Sequence, residues 1–255
     1  MSLLGCVDTL VNTTSESGGD MDGALYTSAS VVIPCYNAGH RVRGVAGHAL
    51  NMVERVILVD DGSTDGAVES LSNLPVNVVR FKRNRGKGAA LLAGFKAALD
   101  CPAVVCVIVV DADGQHDPRE IPQLHQAFKE HNADLVIGAR TFDPALVPWR
   151  SRFGNRLTVA VTRWLFNQYL PDTQSGFRLL SRPFAESVLA TVPEGRYETE
   201  MAIIVKAIRE RRTIVSVPIR TIYEAGNVSS HFRKVRDSLR IYRVLFQAAL
   251  HRPGV

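Results

Sequence analysis

Residues 107–118, VIVVDADGQHDP, contain the feature on which the fold prediction rests. An apolar run leads directly into Asp111 and Asp113, and Gln115 follows after one glycine. Two carboxylates this close repel each other unless positive charge lies between them. Because carboxylate and amide oxygens bind hard divalent cations, the stretch predicts a buried strand that ends at a metal site. The alternative is structural, with Asp111 capping a turn and Asp113-Gly114 forming a tight turn.

Four further short apolar runs surround this strand along the chain. They are SVVIP (30–34), RVILVDDGS (55–63), VNVVRF (76–81) and DLVIGAR (134–140), and the central run extends back to residue 104. Two segments between them have helical spacing: KGAALLAGFKAALD (87–100), and DPREIPQLHQAFKEH (117–131) with Asp117 as N-cap and Pro118 at the first helical position. Short strands that alternate with helices predict a single α/β domain with a mainly parallel sheet.

Polar residues follow several of these predicted strands at once. The runs end in Pro34-Cys35-Tyr36-Asn37, Asp60-Asp61-Gly62-Ser63, Asp111-Ala112-Asp113 and Gly138-Ala139-Arg140. The carboxyl ends of parallel strands meet at one edge of a sheet, and open α/β sheets bind their ligands there. The sequence therefore predicts one ligand site at this edge.

Two loops add polar groups to the predicted site. In VDDGSTDG (59–66), Asp61 is able to accept hydrogen bonds from a nucleobase or ribose, whereas the alternative is a plain strand-to-helix turn with Ser63 as N-cap. In RNRGKGAALLAG (83–94), two glycines flank Lys87 at a helix start, and backbone amides beside a lysine suit an anion. The spacing matches neither a Walker A loop nor a GxGxxG fingerprint, so this segment alone predicts only an anion contact.

Composition predicts a globular protein with an anionic partner. The 255 residues are 46% hydrophobic and 22% charged, which is enough apolar material for a sizeable core. The first forty residues contain four acidic side chains and no Lys or Arg, although the net charge of the chain is +5. The basic charge therefore lies in the body of the protein. Four cysteines without CxxC spacing predict reduced thiols in a cytosolic compartment.

The chain is expected to have three parts. Residues 1–28, rich in Ser, Thr, Gly and Asp, predict a flexible leader that lacks the basic and apolar regions of a signal peptide. Residues 29–230 form the predicted α/β domain, and residues 231–255 a basic amphipathic helix. No apolar run reaches the ~20 residues that a membrane span needs.

Seven motifs, in order, carry a resemblance to a known family: VVIPCYNAG, VDDGSTDG, NRGKGAA, DADGQHDP, GAR, DTQSGFRLL and YETEM. Over residues 29–232 the chain resembles the inverting GT-A glycosyltransferases of family 2, and more narrowly the dolichol-phosphate mannose synthase and polyprenyl-phosphate glycosyltransferase group. The resemblance implies a Rossmann-like GT-A catalytic domain over residues 29–230. It also implies a metal-dependent enzyme that moves a sugar from a UDP- or GDP-sugar donor to a polyprenyl or dolichyl phosphate, with Mg²⁺ or Mn²⁺ as cofactor.

The resemblance also assigns residues to the site. The donor pocket falls on Pro34, Tyr36, Asn37, Asp61, Asp111 and Ala112, and Lys87 joins it from its own loop. The metal ligands fall on Asp111, Asp113 and Gln115, and the acceptor phosphate on Arg140, Ser151, Arg152 and His231. Catalytic roles fall on Asp113, Arg140 and Arg220. The segment from Arg220 to His231 is expected to close over the donor as a mobile lid, with His231 in the place of a family lysine.

The acceptor decides whether a general base is needed. A phosphate acceptor needs none, because with a second pKa of about 6 it is already largely an anion. A hydroxyl acceptor needs one, and Asp172, Glu198 and Glu200 are the candidates. The alternative for Glu198 and Glu200 is the first turn of a helix, where the helix dipole favours acidic residues. Gln174 and Ser175 are candidates to face the sugar, and by resemblance DTQSGF favours glucose-type or N-acetylglucosamine-type donors over mannose.

The C-terminal segment predicts contact with an anionic membrane surface. Apolar residues recur there at helical spacing, with basic residues around them: Phe232, Val235, Leu239, Tyr242 and Phe246. The alternative is a helix that packs on the core and has a solvated outer face. A second candidate is RFGNRLTVAVTRWLFNQYL (152–170), with Trp164 and Tyr169 near its end. These features predict a cytoplasmic enzyme held peripherally at the membrane.

Two other functions stay open. Within family 2, the chain could add sugar to a hydroxyl of a polysaccharide or lipid-linked saccharide. From another class, it could be a silent nucleotide-binding or membrane-adaptor module, although the Asp111 and Asp113 pair argues for catalysis. A nucleic-acid partner is not expected, since the basic residues are not interleaved with aromatic ones as in known binding modules.

Overall fold

A computed structural model describes residues 25–140, 149–220, 222 and 234–250, with the side chains of residues 149–156, 234–239 and 249 left out. Seven strands within these ranges form one sheet: β1 (Tyr26–Cys35), β2 (Val53–Asp60), β3 (Asn77–Arg80), β4 (Cys106–Val109), β5 (Leu135–Arg140), β6 (Arg178–Ser181) and β7 (Ile214–Ile219). Their order is β3-β2-β1-β4-β6-β5-β7. Only β6 runs antiparallel to its neighbours in this described sheet. The predicted α/β architecture with a mainly parallel sheet is confirmed.

Helices cover the sheet on both faces. They are α1 (Arg41–Leu50), α2 (Lys87–Leu99), α3 (Ile121–Glu130), α4 (Trp149–Phe166), α5 (Arg182–Thr191), α6 (Glu198–Arg209) and α7 (Lys234–Leu250). Successive residues of β1 alternate between two apolar clusters: Val31 and Ile33 pack with α1 and α3, whereas Val32 packs with α2, α5 and α6. A period of two is what a strand buried on both faces requires.

The first part of the chain follows the predicted elements closely, with local differences. The predicted helix over 87–100 is α2. Asp117 caps as predicted, since its side chain accepts a hydrogen bond from the Arg119 backbone N–H at 3.0 Å, but it caps a 3₁₀ turn (Pro118–Glu120) and α3 begins only at Ile121. The strands β6 and β7 were not predicted from the sequence.

The expectation that Ser63 caps a helix was wrong. Residues 61–68 form a loop, and the next helical turn is a 3₁₀ turn at Glu69–Leu71. The Ser63 backbone N–H donates to Asp60 Oδ1 at 2.8 Å, and its hydroxyl accepts a hydrogen bond from the Asn37 backbone N–H at 3.1 Å. Ser63 therefore joins two loops at the edge of the sheet instead of starting a helix.

The structure describes the start of the predicted domain but not all of its end. Strand β1 begins at Tyr26, which pairs with Val53, so residues 26–28 belong to the sheet although they were predicted to lie in the leader. Residues 1–24 lie outside the described residues. So do residue 221 and residues 223–233, which contain most of the predicted lid and His231.

Helix α7 packs mainly against α6 and also contacts α4. Its buried side chains include Ile241, Leu245 and Ala248. Of the predicted apolar stripe, Tyr242 packs against the core, as the structural alternative predicted, whereas Phe246 is 48% exposed. None of the helices within the described ranges is long and apolar enough to cross a bilayer.

Candidate active site

A cavity of about 580 Å³ opens at the carboxyl edge of the sheet. Pro34 and Tyr36 reach it from the end of β1, Asp61 from β2, and Arg140 from β5. The segment after β4 contributes Asp111, Ala112, Asp113 and Gln115. The volume lies in the range of small-molecule sites. The structure thus brings together most of the residues that were predicted at this edge.

Lys87 lies between two carboxylates in this cavity. Its Nζ is 2.7 Å from Asp111 Oδ1 and 3.1 Å from Glu200 Oε1, and all three side chains are largely buried. Burial alone would lower the pKa of Lys87, but the two carboxylates raise it above its ordinary value. The predicted anion contact of Lys87 is therefore made here with carboxylates of the protein itself, and this ammonium supplies positive charge beside Asp111.

Among the described residues, no ion pair holds Asp113 as Lys87 holds Asp111, and Lys87 and Arg41 act on Asp113 only as weaker neighbouring charges. Burial, followed by the negative charge of Asp111, raises the pKa of Asp113 to about 6. Its Oδ1 accepts a hydrogen bond from the Gln115 backbone N–H at 3.0 Å. The loop behind the pair approaches closely, since a Cβ on Gly176 would lie 2.2 Å from Asp111 Oδ2. The two carboxylates therefore carry negative charge that one further cation would neutralise.

The residues present fit a divalent cation that is shared with a phosphate group. Two carboxylates and one carboxamide are the oxygen ligands that Mg²⁺ and Mn²⁺ take in proteins. Among the described residues, no group of three His, Cys, Asp or Glu side chains is arranged to hold a metal. Such a site depends on a substrate phosphate for its other ligands, as Mg²⁺ sites commonly do.

Asp61, predicted to bind the nucleoside, accepts three hydrogen bonds from within the protein. Its Oδ1 accepts a hydrogen bond from the Arg85 backbone N–H at 2.6 Å. Its Oδ2 accepts hydrogen bonds from the Asn84 side chain and the Gly86 backbone N–H, both at 2.8 Å. Asp61 therefore fixes the loop that precedes α2. A carboxylate has about four acceptor positions, which leaves one for a ligand.

Asn37 makes contacts within the protein, and its predicted contact with the donor stays a prediction. Its backbone lies in the left-handed region, with φ at 49°. Its Oδ1 accepts a hydrogen bond from the Thr64 backbone N–H at 2.8 Å, and the side chain does not line the cavity. Asn37 thus links the loop after β1 to the loop after β2. Asparagine suits this position, since it tolerates a left-handed backbone conformation better than most residues.

Arg140 lines the cavity but already holds a carboxylate. Its Nε and Nη2 donate to Asp172 Oδ2 and Oδ1 at 2.6 and 3.0 Å, and its backbone N–H donates to Oδ2 at 3.2 Å. Burial would raise the pKa of Asp172, but Arg140 holds it below its ordinary value. Asp172, a candidate base, is therefore an ionised partner of Arg140.

The remaining predicted residues are only partly placed. Arg220 is exposed at the end of β7 and does not line the cavity, and its backbone N–H donates to the Glu120 carboxylate at 3.1 and 3.2 Å. Ser151 and Arg152 lie in α4, but their side chains are outside the described part of the chain, as is the whole of His231. The acceptor contacts assigned to these residues stay predictions.

Arg178 is a buried member of the cavity wall that was not predicted. Its Nε and Nη1 donate to the carbonyls of Ser175 and Glu200, each at 2.8 Å, and its Nη2 donates to the Thr173 carbonyl at 3.1 Å. It thereby holds a loop against the first turn of α6. The signal in the sequence was an arginine between Phe177 and Leu179, since a charge inside an apolar strand needs buried partners.

Two further cavity residues come from the start of α6. Arg196 lies over the Gly86 backbone, where a Cβ would come within 2.5 Å of Arg196 Cγ, and Tyr197 follows it. Glu198 and Glu200 lie in the first turn of α6, as the structural alternative predicted, and only Glu200 lines the cavity. No local pattern marks Arg196, because its position depends on how α6 packs beside α2.

Comparison with known proteins agrees with this architecture. The model of "Glycosyl transferase family 2" matches residues 30–188. The polyprenol monophosphomannose synthase of Mycolicibacterium smegmatis is 32% identical over 202 residues, which cover 74% of this chain and 75% of that protein. The UDP-N-acetylglucosamine–dolichyl-phosphate N-acetylglucosaminyltransferase of Methanococcus voltae is 28% identical over 214 residues, which cover 76% of this chain and 85% of the relative.

A solved structure shows the same fold. Glucosyl-3-phosphoglycerate synthase from Mycobacterium tuberculosis, crystallised with Mn²⁺ and UDP-glucose, superposes with a TM-score of 0.67 at 19% identity and covers 88% of this chain and 79% of its own. The predicted GT-A fold is thereby confirmed. Together with the match over residues 30–188, this shows that the chain belongs to glycosyl transferase family 2.

Proposed function

We propose that this protein transfers a sugar from a nucleotide-sugar donor to a polyprenyl phosphate. The observation that carries the proposal concerns the three candidate bases: Asp172 holds Arg140, Glu200 holds Lys87, and Glu198 does not line the cavity. A hydroxyl acceptor needs a free base to take its proton, whereas a phosphate acceptor is already an anion. The names of the relatives from M. smegmatis and M. voltae, which specify polyprenol and dolichyl phosphate, support the same acceptor class.

The order of the strands supports one orientation of the donor. The diphosphate would lie at the end of β4, beside Asp111 and Asp113, and the nucleoside would extend toward Pro34, Tyr36 and Asp61. Adjacent strands are about 4.8 Å apart, so β2 lies about 10 Å from β4 across β1. This span suits a ribose and base attached to a diphosphate. Asp61 lines the nucleoside end of the cavity in this orientation.

Asp111, Asp113 and Gln115 would hold Mg²⁺ or Mn²⁺. When bound, the ion supplies Lewis-acid stabilisation of the charge on the departing nucleoside diphosphate. Arg178 adds a fixed positive charge at the cavity wall, and its three bonds to carbonyls mean that it needs no rearrangement when negative charge develops. Arg140, which lines the cavity, is proposed to contact the acceptor phosphate together with Ser151, Arg152 and His231.

Contact with an anionic membrane surface is the second element of the proposal. Exposed apolar side chains lie along α4, just beyond it and on α7: Trp164, Tyr169, Phe246 and Leu250. Trp164 is 76% exposed, and the exposed Arg163 and Arg243 lie on the same two helices. Apolar and basic residues together suit the headgroup region of an anionic bilayer. Peripheral attachment there would bring the cavity to a lipid acceptor.

Vesicle binding tests this surface directly. The protein is expected to co-sediment with phosphatidylcholine vesicles that contain phosphatidylglycerol, and Trp164→Ala is expected to weaken that binding. Val105→Ala is the matched control, since Val105 is an exposed apolar residue at the amino edge of β4, opposite the cavity. If both variants bind anionic vesicles equally well, Trp164 does not contribute to the membrane contact.

The enzymatic test is a panel of UDP- and GDP-sugars offered with Mg²⁺ or Mn²⁺. Each donor is given a short polyprenyl phosphate, the matching polyprenol, or a saccharide acceptor. A glycosyl phosphate formed only from the polyprenyl phosphate is the expected product. Transfer to the saccharide hydroxyl instead would contradict the proposed acceptor. It would favour the alternative family 2 function, in which the acceptor is a hydroxyl of a saccharide. Failure to bind any of these nucleotides would contradict the transferase assignment of the cavity.

A further inference from the structure

The charged groups of the cavity balance each other before any ligand is bound. Four basic side chains, Lys87, Arg140, Arg178 and Arg196, line it together with four acidic ones, Asp61, Asp111, Asp113 and Glu200. Lys87 is the basic group that touches two of these carboxylates at once, Asp111 at 2.7 Å and Glu200 at 3.1 Å. Its ammonium therefore lies where one of the two strand-end carboxylates would meet a metal ion.

We propose that Lys87 makes metal binding and donor binding depend on each other, an inference that rests on the proposed function. In the donor-free protein, Lys87 forms its ion pair with Asp111 and not with Asp113, which accepts a hydrogen bond from the Gln115 backbone N–H. When a donor diphosphate enters, Lys87 keeps its contact with Glu200 and exchanges Asp111 for a phosphate oxygen. Asp111 then becomes available to Mg²⁺ or Mn²⁺ together with Asp113. Lys87 is thus a positioning residue for the metal site.

The geometry supports such an exchange. An ammonium has three N–H donors, and Nζ forms ion pairs with two carboxylates, so a phosphate oxygen is able to replace one of these partners. Lys87 begins α2, and Glu200 lies in the first turn of α6, so the two anchors come from different elements. The lysine side chain has four rotatable methylenes, which allow Nζ to move by a few ångströms while Glu200 keeps it in the cavity. In this proposal Glu200 is the tether and Asp111 the releasable partner, because Asp111 is the carboxylate that the metal ion would need.

Charge explains why each ligand should need the other. A metal ion that approaches Asp111 alone meets the ammonium of Lys87, and like charges at contact distance repel strongly in a partly buried site. A diphosphate that approaches alone meets the negative charge of Asp113. When both enter, the cation lies between the carboxylates and the phosphates, and Lys87 pairs with a phosphate oxygen. Affinity coupled in this way is reciprocal between the two ligands.

Manganese binding tests the inference with a readout other than turnover. Free Mn²⁺ is followed by electron paramagnetic resonance at pH 8, without nucleotide and with saturating UDP or GDP, with correction for the complex that Mn²⁺ forms with nucleotide in solution. The wild-type protein is expected to bind Mn²⁺ weakly alone and more tightly with nucleotide. Lys87→Met is expected to bind Mn²⁺ alone about tenfold more tightly than the wild type. The increase in Mn²⁺ affinity on adding nucleotide is expected to fall by about the same factor. A change of this size lies within the usual range of coupling between two sites.

Two more variants make the test secure. Lys206→Met is the matched control, since Lys206 lies on α6 and pairs with Glu210 on the same helix, away from the cavity. It removes the same charge and is expected to leave the coupling unchanged. Lys87→Gln removes the charge but keeps a hydrogen-bond donor, and it replaces Lys87→Met if that variant does not fold.

The possible results separate this inference from the proposed function. A wild-type protein that binds neither UDP nor GDP in the presence of Mn²⁺ would overturn the proposed function and this inference with it. A wild-type protein with nucleotide-enhanced Mn²⁺ binding, which Lys87→Met and Lys87→Gln retain in full, would leave the proposed function in place and overturn the role of Lys87. A lowered melting temperature with unchanged coupling would likewise show that Lys87 only joins α2 to α6.

Discussion

Arg178→Met is the substitution for which the structure gives the clearest expected cost. Methionine is an unbranched, flexible side chain of similar length. The change therefore removes the charge and three hydrogen bonds without leaving a large void. Arg178 is 2% exposed, and its acceptors are the carbonyls of Thr173, Ser175 and Glu200. Glu200 lies within α6, where its carbonyl also accepts a hydrogen bond of the helix. The main loss is therefore the hydrogen bond that Arg178 donates to each of the carbonyls of Thr173 and Ser175.

The expected size follows from those two acceptors. A hydrogen bond from a charged donor is worth about 1.5–3 kcal/mol, which gives about 3–6 kcal/mol for the pair. Removal of a buried charge returns part of this, because the desolvation penalty of the guanidinium disappears. We expect a net loss of about 3 kcal/mol in the free energy of unfolding. For a chain of this size, that corresponds to a fall of roughly 6–12 °C in the melting temperature.

Urea denaturation followed by circular dichroism measures this loss. Arg43→Met is the matched control, since Arg43 also donates to a backbone carbonyl, that of Ser70, but is exposed on α1. We expect it to change stability by less than about 1 kcal/mol. If Arg178→Met and Arg43→Met have equal midpoints, Arg178 does not hold the loop against α6 and the reasoning from buried acceptors is wrong.

Three further results are expected. Asp113→Asn should lower turnover by roughly a hundredfold while leaving the melting temperature equal or higher, because it removes a repulsive charge beside Asp111; normal activity of this variant in trace metal would contradict the metal role. Asp172→Asn should lose stability at pH 7, since the pKa of Asp172 lies below its ordinary value of 3.8 in the folded protein. That contribution is present above pH 3.8 and is lost as the pH falls through the folded value, so the gap between the variant and the wild type in urea should narrow at pH 3; a gap independent of pH would contradict it. Burial raises the pKa of Cys35 to about 11 and that of Cys106 to about 12, so mass spectrometry after iodoacetamide treatment at pH 8 should find both thiols unmodified until urea unfolds the protein; rapid modification of either in the native state would show that it is accessible.

The sequence by itself determined the layout of the sheet edge. Apolar runs that end in polar residues predicted that Pro34, Asp61, Asp111 and Arg140 would meet, and they line one cavity. This inference works because strand periodicity is local and because parallel strands share one carboxyl edge. The helix start at Lys87 could be read for the same reason, since a glycine-flanked polar residue before an apolar helical pattern is a local signal.

Tertiary structure alone decided which charges these residues meet. Strand β6 has only four residues and enters antiparallel between β4 and β5, and it places Gly176 against Asp111 and Arg178 beneath the cavity. The pairing of Lys87 with Glu200 depends on α2 and α6 packing side by side. Such contacts join segments far apart in the chain, and no local spacing encodes them, because an ion pair forms only after the folded core has fixed the positions of both partners.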